Sequence, residues 1–240
     1  MVCMAEFKYV GSQLDLFAEV HNWKSYWSQQ IRPYLKGDIL EVGAGIGSNA
    51  EFLDPGCPGH TVCLEPDPLL TEQLSARIVC INSGRTSEAV CGTLQTLKGR
   101  QFDSIVYIDV LEHIERDHDE LNMAAAMLRP GGRVIVLSPA HQFLYTPFDA
   151  AIGHFRRYSR RTLRAVSPSG LRLETLRYID SVGMLASSAN RLFLQQSMPT
   201  RSQLQVWDKW MIPVSTVLDA LILHSVGKSV LAVWQRSHEG

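Results

Sequence analysis

A chain of 240 residues with 45% apolar residues can bury one substantial core, so one domain with local elaborations is expected and a two-domain split is not required. Lysine and arginine total 23 against 24 acidic residues, a formal net charge of −1 that provides no global field for nucleic acid or an anionic membrane. The five cysteines, Cys3, Cys57, Cys63, Cys80 and Cys91, are odd in number and lack CxxC spacing, so buried reduced thiols of a cytoplasmic protein are expected and no metal ligands are assigned.

In chain order, Trp23, Tyr26, Trp27, Ile31 and Tyr34 recur at three-to-four spacing, predicting an N-terminal helical lid within 1–36 that packs on a sheet or over a pocket. From Asp38 to about Pro139, strand-like runs alternate with helix-like segments, the pattern of a parallel sheet covered by helices. The strand candidates are 38–42, 61–65, 78–82, 102–109 and 133–138. Asp117 with Glu120 three residues later reads as a capping box opening a helix to Leu128, which Pro130-Gly131-Gly132 ends. A loop rich in His, Tyr and Arg follows, then a helix from Ser159 and a sixth strand near 171–178.

Residues 180–227 read as an inserted helical cap, with Val214, Val217, Leu218, Leu221 and Ile222 at helical spacing, before a last strand at 229–234. The core is thus 37–179 plus 228–240. No N-terminal stretch joins a basic flank to a long apolar run, and Asp208, Lys209 and Asp219 interrupt the late apolar runs, so neither export nor stable membrane insertion is expected.

Gly43, Gly45 and Gly47 leave the first strand directly and precede a helix-like segment. A turn at the carboxyl end of a parallel strand needs unusual backbone angles, and a missing Cβ lets a ligand lie against the main chain. Glu65, about 20 residues on, ends the second strand where a carboxylate can accept ribose hydroxyls. The run is GxGxG rather than the dinucleotide GxGxxG, and Glu41 and Asp109 near the strand ends suit a sulfonium and an ammonium better than a pyrophosphate. The pattern favours S-adenosylmethionine over NAD.

Residues 39–47, Ile-Leu-Glu-Val-Gly-Ala-Gly-Ile-Gly, resemble the first motif of the class I S-adenosylmethionine-dependent methyltransferases. Residues 62–67, Val-Cys-Leu-Glu-Pro-Asp, resemble the family's ribose-binding strand end, 102–114 its fourth-strand motif, and 128–133, Leu-Arg-Pro-Gly-Gly-Arg, its turn into strand five. Gly153-His154-Phe155-Arg156-Arg157-Tyr158 further resembles a loop of a bacterial small-molecule branch of that family. The resemblance implies a Rossmann-like seven-stranded sheet with helices on both faces. It implies a donor site at Glu41, Gly43, Ala44, Gly45, Gly47, Glu65, Pro66, Gly92, Thr93, Leu94, Asp109 and Val110, with S-adenosylhomocysteine as product. An acid usually flanks the adenine after strand three, but here the stretch is Cys91-Gly92-Thr93-Leu94, so Thr93 or a main-chain group has to supply that contact.

Methyl transfer is an in-line displacement at an activated carbon, so positioning and desolvation supply most of the catalysis, and a base helps where the acceptor carries a proton. His141 and His154 are the candidate bases. Trp23, Tyr26, His113, Tyr145, Arg157 and Tyr158 are candidates for the wall of a small-molecule acceptor, Arg157 as a clamp on an acceptor carboxylate or phosphate. The Trp207, Trp210, Met211 cluster suits an acceptor lid, a homodimer contact or an apolar substrate. Two other readings are weighed: a non-catalytic S-adenosylmethionine-binding scaffold of the same fold, and an NAD-dependent oxidoreductase, which the GxGxG spacing disfavours.

Overall fold

The computed structural model describes residues 14–79, 85–191 and 200–238. Strand β1 (Ile39–Val42) is buried along its whole length, as a strand with apolar contacts on both faces must be. It pairs in parallel with β2 (His60–Glu65) and β4 (Phe102–Ile108), Leu40 lying opposite Val62 on one side and Ile105 on the other. β3 (Thr86–Cys91) extends the sheet beyond β2, and β5 (Leu128–Pro139) beyond β4. β7 (Ser229–Arg236) then runs antiparallel between β5 and β6 (Leu171–Ile179), giving the order β3-β2-β1-β4-β5-β7-β6. The chain reverses its sense of winding between β1 and β4, so the carboxyl ends of these strands open the crevice where α/β sheets take ligands.

Alternate strand residues feed two cores. Leu40, Val42, Ile105 and Tyr107 pack with Leu121 and Ala124 of α4 (Asp117–Ala126) and Leu163 of α6 (Arg160–Ala165). Ile39, Val106 and Ile108 pack on the opposite face with Trp27 and Ile31 of α2 (His21–Ile31) and with Trp207 and Ile212. Each such side chain contributes roughly 1.5–3 kcal/mol when fully buried.

Several sequence expectations need correction. The third strand is 86–91 and not 78–82: Ile78 closes α3 (Pro68–Ile78) and packs with Leu74 against Ala44 and Cys63, while Cys80 to Asn82 lie outside the described residues. β3 is an edge strand with Thr86 and Cys91 exposed, so it needs no apolar run and carries little pattern. Asp117 is no cap: its buried carboxylate accepts from Arg156 Nη1 (2.6 Å) and the Tyr158 hydroxyl (2.7 Å), and Glu120 accepts from Tyr107. The helix there ends at Ala126, and Pro130 to Gly132 lie within β5. Of the cysteines described, Cys63 is buried, whereas Cys57 and Cys91 are exposed.

Between β6 and β7 the chain forms α7 (Ser181–Ala189), α8 (Arg201–Val206), a π-helical turn (Trp207–Met211) and α9 (Ile212–Leu221). α9 turns Ile212, Ser215 and Asp219 inward and leaves Val214, Val217 and Leu221 exposed, the reverse of what its apolar spacing predicts. Two buried acids explain the inversion. Asp219 accepts from the Tyr26 hydroxyl (2.6 Å), Asp180 N (2.6 Å) and Ser181 N (3.0 Å). Asp180 accepts from Gly183 N (2.9 Å), Trp207 Nε1 (2.8 Å) and Ser215 Oγ (2.8 Å). Donors offset the cost of burying these two carboxylates, which tie α2, α7, the π turn and α9 into one unit.

Candidate active site

The glycine turn after β1 has positive φ at Gly43 (69°), Gly45 (54°) and Gly47 (75°). At Gly43 a Cβ would meet Val110 at 2.6 Å, and at Gly47 it would meet Leu74 at 2.7 Å, so both backbone angle and space require glycine. The turn is anchored on β2: Gly43 N and Ala44 N donate to Leu64 O, and Gly45 N donates to Glu65 Oε2 at 2.8 Å. The other Glu65 oxygen accepts from Asp67 N at 3.0 Å. Burial raises the Glu65 pKa, and these two N–H groups oppose the rise.

Behind the turn Glu41 is fully buried, and neither carboxylate oxygen is hydrogen-bonded. Burial pushes its pKa to about 7, against the pull of nearby Asn49, Cys63 and Lys24. Lys24, itself buried on α2, donates to Ser48 O (2.9 Å) in the loop after the turn, and burial lowers its pKa to about 8. A lysine between Trp23 and Tyr26 in an aromatic stripe is a sequence signal that the motif reading passes over.

In front of the turn lies a cavity of about 690 Å³, bounded by Gly43 to Ile46, by Trp23 and Trp27 of α2, by the loop after β5, and by the helices between β6 and β7. Asp109, in the left-handed region with φ 53°, opens onto this cavity although protein encloses it; burial raises its pKa to about 6, opposed by His154, Lys228 and Arg157. His154 and Arg157 both reach Asp149: His154 Nδ1 lies 3.0 Å from Oδ1, and the Arg157 guanidinium donates to both oxygens at 2.8 and 3.0 Å. Asp149 is held well below the usual carboxylate range by these partners in spite of its burial. With Nδ1 so occupied, the His154 ring is oriented by a carboxylate. His113 packs edge-on against it at 4.5 Å and is kept neutral, its pKa lowered to about 4 by burial and by His154. Glu112, His113 and His154 bring metal-ligand atom types within 4.8 Å of one another.

Of the residues singled out in sequence, Gly43, Ala44, Gly45, Asp109, Trp23, Trp27, His113, His154, Arg157, Trp207 and Met211 line the cavity. The others are placed elsewhere. Glu41, Gly47, Glu65 and Val110 support the turn, while Pro66, Gly92, Thr93 and Leu94 lie at the β2 and β3 ends, where Gly92 N donates to Glu65 O. His141 has φ 67° and stacks on Tyr178 at 4.7 Å, outside the cavity lining. Tyr26 is bonded to Asp219, the Tyr145 hydroxyl donates to His154 O (2.6 Å), and Tyr158 is buried on Asp117. None of these three tyrosines lines the cavity. Arg157 does, but its bidentate pairing with Asp149 occupies the face that a clamp would use. Asp149 and Lys228 escaped the sequence reading because nothing local marks them.

The sheet order with antiparallel β7, the positive-φ glycine turn and the acid ending β2 together define a class I S-adenosylmethionine-dependent methyltransferase fold, a class whose cofactor is S-adenosylmethionine. The chain belongs to the methyltransferase-domain family, which residues 20–173 match. It is 25% identical over 162 residues to the ubiquinone/menaquinone biosynthesis C-methyltransferase UbiE of Ruegeria sp. (strain TM1040), an alignment covering 64% of this chain and 63% of that protein. Two solved structures share the fold. One is a chain of the complex between the Haloferax volcanii Trm112 methyltransferase activator and its methyltransferase (TM-score 0.63, 15% identity, 95% of each chain). The other is an S-adenosylmethionine-dependent methyltransferase from Clostridium acetobutylicum (TM-score 0.57, 11% identity, 94% of this chain and 95% of that one). No helix among the described residues is long and apolar enough to cross a membrane.

Proposed function

We propose that this protein transfers the methyl group of S-adenosylmethionine to an oxygen, nitrogen or carbon nucleophile of a small organic acceptor. The observation that carries the reading is one continuous cavity that runs from the glycine turn to a carboxylate-oriented imidazole, His154, under apolar walls. The donor fits the residues present: a glycine cradle whose positive φ at Gly43 and Gly45 disfavours any side chain, Asp109 on the cavity with Glu41 and Glu65 supporting the turn, and Lys24 beside the turn for the donor carboxylate. When bound, the donor supplies an electrophilic methyl on a positive sulfur, and the sulfur keeps the electron pair of the broken bond.

The chain's own residues do the rest. Glu65 holds the ribose end and fixes the turn, with Gly92 to Leu94 beside it for the adenine. Trp23, Trp27 and the helices between β6 and β7 exclude water and align the acceptor, which converts an encounter into an in-line attack. His154 takes the acceptor proton where there is one, and Asp149 keeps its ring in the receiving tautomer. His141 is the weaker candidate because its ring lies against Tyr178. In this reading 14–36, with 180–191 and 200–227, act as lid and cap on the core, while 1–13 and 192–199 of those segments lie outside the described residues.

The test is incubation with methyl-labelled donor and fractionated metabolite extracts, comparing wild type with His154→Ala. Label transfer that drops about a hundredfold in the variant, at unchanged S-adenosylhomocysteine affinity, is the expected result. No transfer from any extract despite tight S-adenosylhomocysteine binding would favour a binding scaffold instead.

A further inference from the structure

We propose that Lys228 anchors a negatively charged oxygen of the acceptor, so that the substrate class is an apolar, ring-sized molecule bearing a carboxylate, phenolate or enolate. This rests on the methyl-transfer reading above and names what that cavity takes.

Lys228 is held in place at both ends. Its main-chain N–H donates to Asp180 O (2.9 Å), and its ammonium sits over the Trp207 ring, 4.5 Å from the centroid. Trp207 is itself pinned through its indole N–H to Asp180. The lysine lines the cavity, yet among the described residues its ammonium makes no hydrogen bond and no ion pair. Of the acids that act on it, Asp109 on the same cavity attracts it without an ion pair, and the other two are engaged elsewhere. Asp180 takes three donors from Gly183, Trp207 and Ser215, and Asp149 takes Arg157, His154 and Thr146. Lys228 is half-buried, and partial loss of hydration costs an ammonium whose N–H donors have no partner; burial and Arg157 press its pKa down, against the pull of Asp180, Asp109 and Asp149. A ligand oxygen of negative charge relieves that cost.

The donor is the wrong partner for this ammonium. Its sulfonium would be repelled, and its carboxylate has Lys24 beside the glycine turn. That leaves the acceptor. The cavity that Lys228 lines also has Trp23, Leu204, Val206, Trp207 and Met211 on its wall, which suits a hydrophobic body carrying the charged oxygen. A cation at this place also favours the deprotonated form of a phenol or enol, which lessens the work left to His154.

The experiment titrates the full chain, saturated with S-adenosylhomocysteine, with 2-naphthoate and its neutral isostere 2-naphthamide, in wild type, Lys228→Met and Lys228→Gln. The expected result is that wild type prefers the naphthoate by about tenfold or more, as a charge-assisted hydrogen bond provides. Both variants should lose that preference and keep their S-adenosylhomocysteine affinity. Equal affinity of wild type for the two probes, or binding of neither, would overturn the proposal, as would a preference that survives in either variant. A comparable loss of S-adenosylhomocysteine affinity in the variants would assign Lys228 to the donor carboxylate and overturn it too. Failure of wild type to bind S-adenosylhomocysteine would instead sink the methyl-transfer reading itself.

Discussion

Glu41 in β1 and Glu65 at the end of β2 are buried acids on either side of the glycine turn, with different roles. Glu65 is saturated by Gly45 N and Asp67 N, so its removal frees the turn as well as deleting the ribose contact. Glu65→Ala should therefore weaken S-adenosylhomocysteine binding by about tenfold or more in calorimetry, the loss expected for charge-assisted hydrogen bonds. An unchanged affinity would mean that the donor site lies elsewhere. Glu41 has no hydrogen-bond partner and a folded-state pKa near 7 against an ordinary 4.5. Between these values the folded chain holds a proton that the unfolded chain has released, so stability falls as pH rises through that window. Above it, the buried charge costs roughly 3 kcal/mol. Glu41→Gln should accordingly raise the melting temperature at pH 8 and leave it little changed at pH 4, measured without ligand.

At the scale of elements, the helices between β6 and β7 are attached by buried polar groups as well as by Leu204, Trp207 and Ile212. α9 shows Ser215 and Asp219 to the core and several of its branched side chains to solvent. Tyr26→Phe removes one of three donors to Asp219 and should cost about 1.5–3 kcal/mol by urea unfolding, with the loss concentrated at the α2–α9 contact. Hydrogen exchange would show it as faster opening of α9 amides than of β4 amides. A destabilisation spread evenly over the sheet would contradict this attachment. The element reading from sequence succeeded where burial on both faces forces a continuous apolar run, as in β1, β4 and β5. It failed at β3, an edge strand with weak patterning, and at Asp117, whose local capping role is displaced by Arg156 and Tyr158 nearly 40 positions away.

For the whole molecule, donor-product binding should stabilise by mass action, about 2.7 kcal/mol at a hundredfold excess over Kd, whereas NAD at the same concentration should leave the melting curve where it was. A shift with NAD and none with S-adenosylhomocysteine would point to the oxidoreductase alternative. The sequence by itself determined the sheet class and the glycine turn with its two acids, because strand, turn and acid form a local geometry in which the backbone dictates the residue type. It could not reveal that Lys24 and Ser48 meet, that Asp149 orients His154, or that Lys228 is left idle over Trp207. Those facts depend on which donors and acceptors each carboxylate has already consumed. Only the tertiary structure decides that, since most buried polar groups find their partners far along the chain.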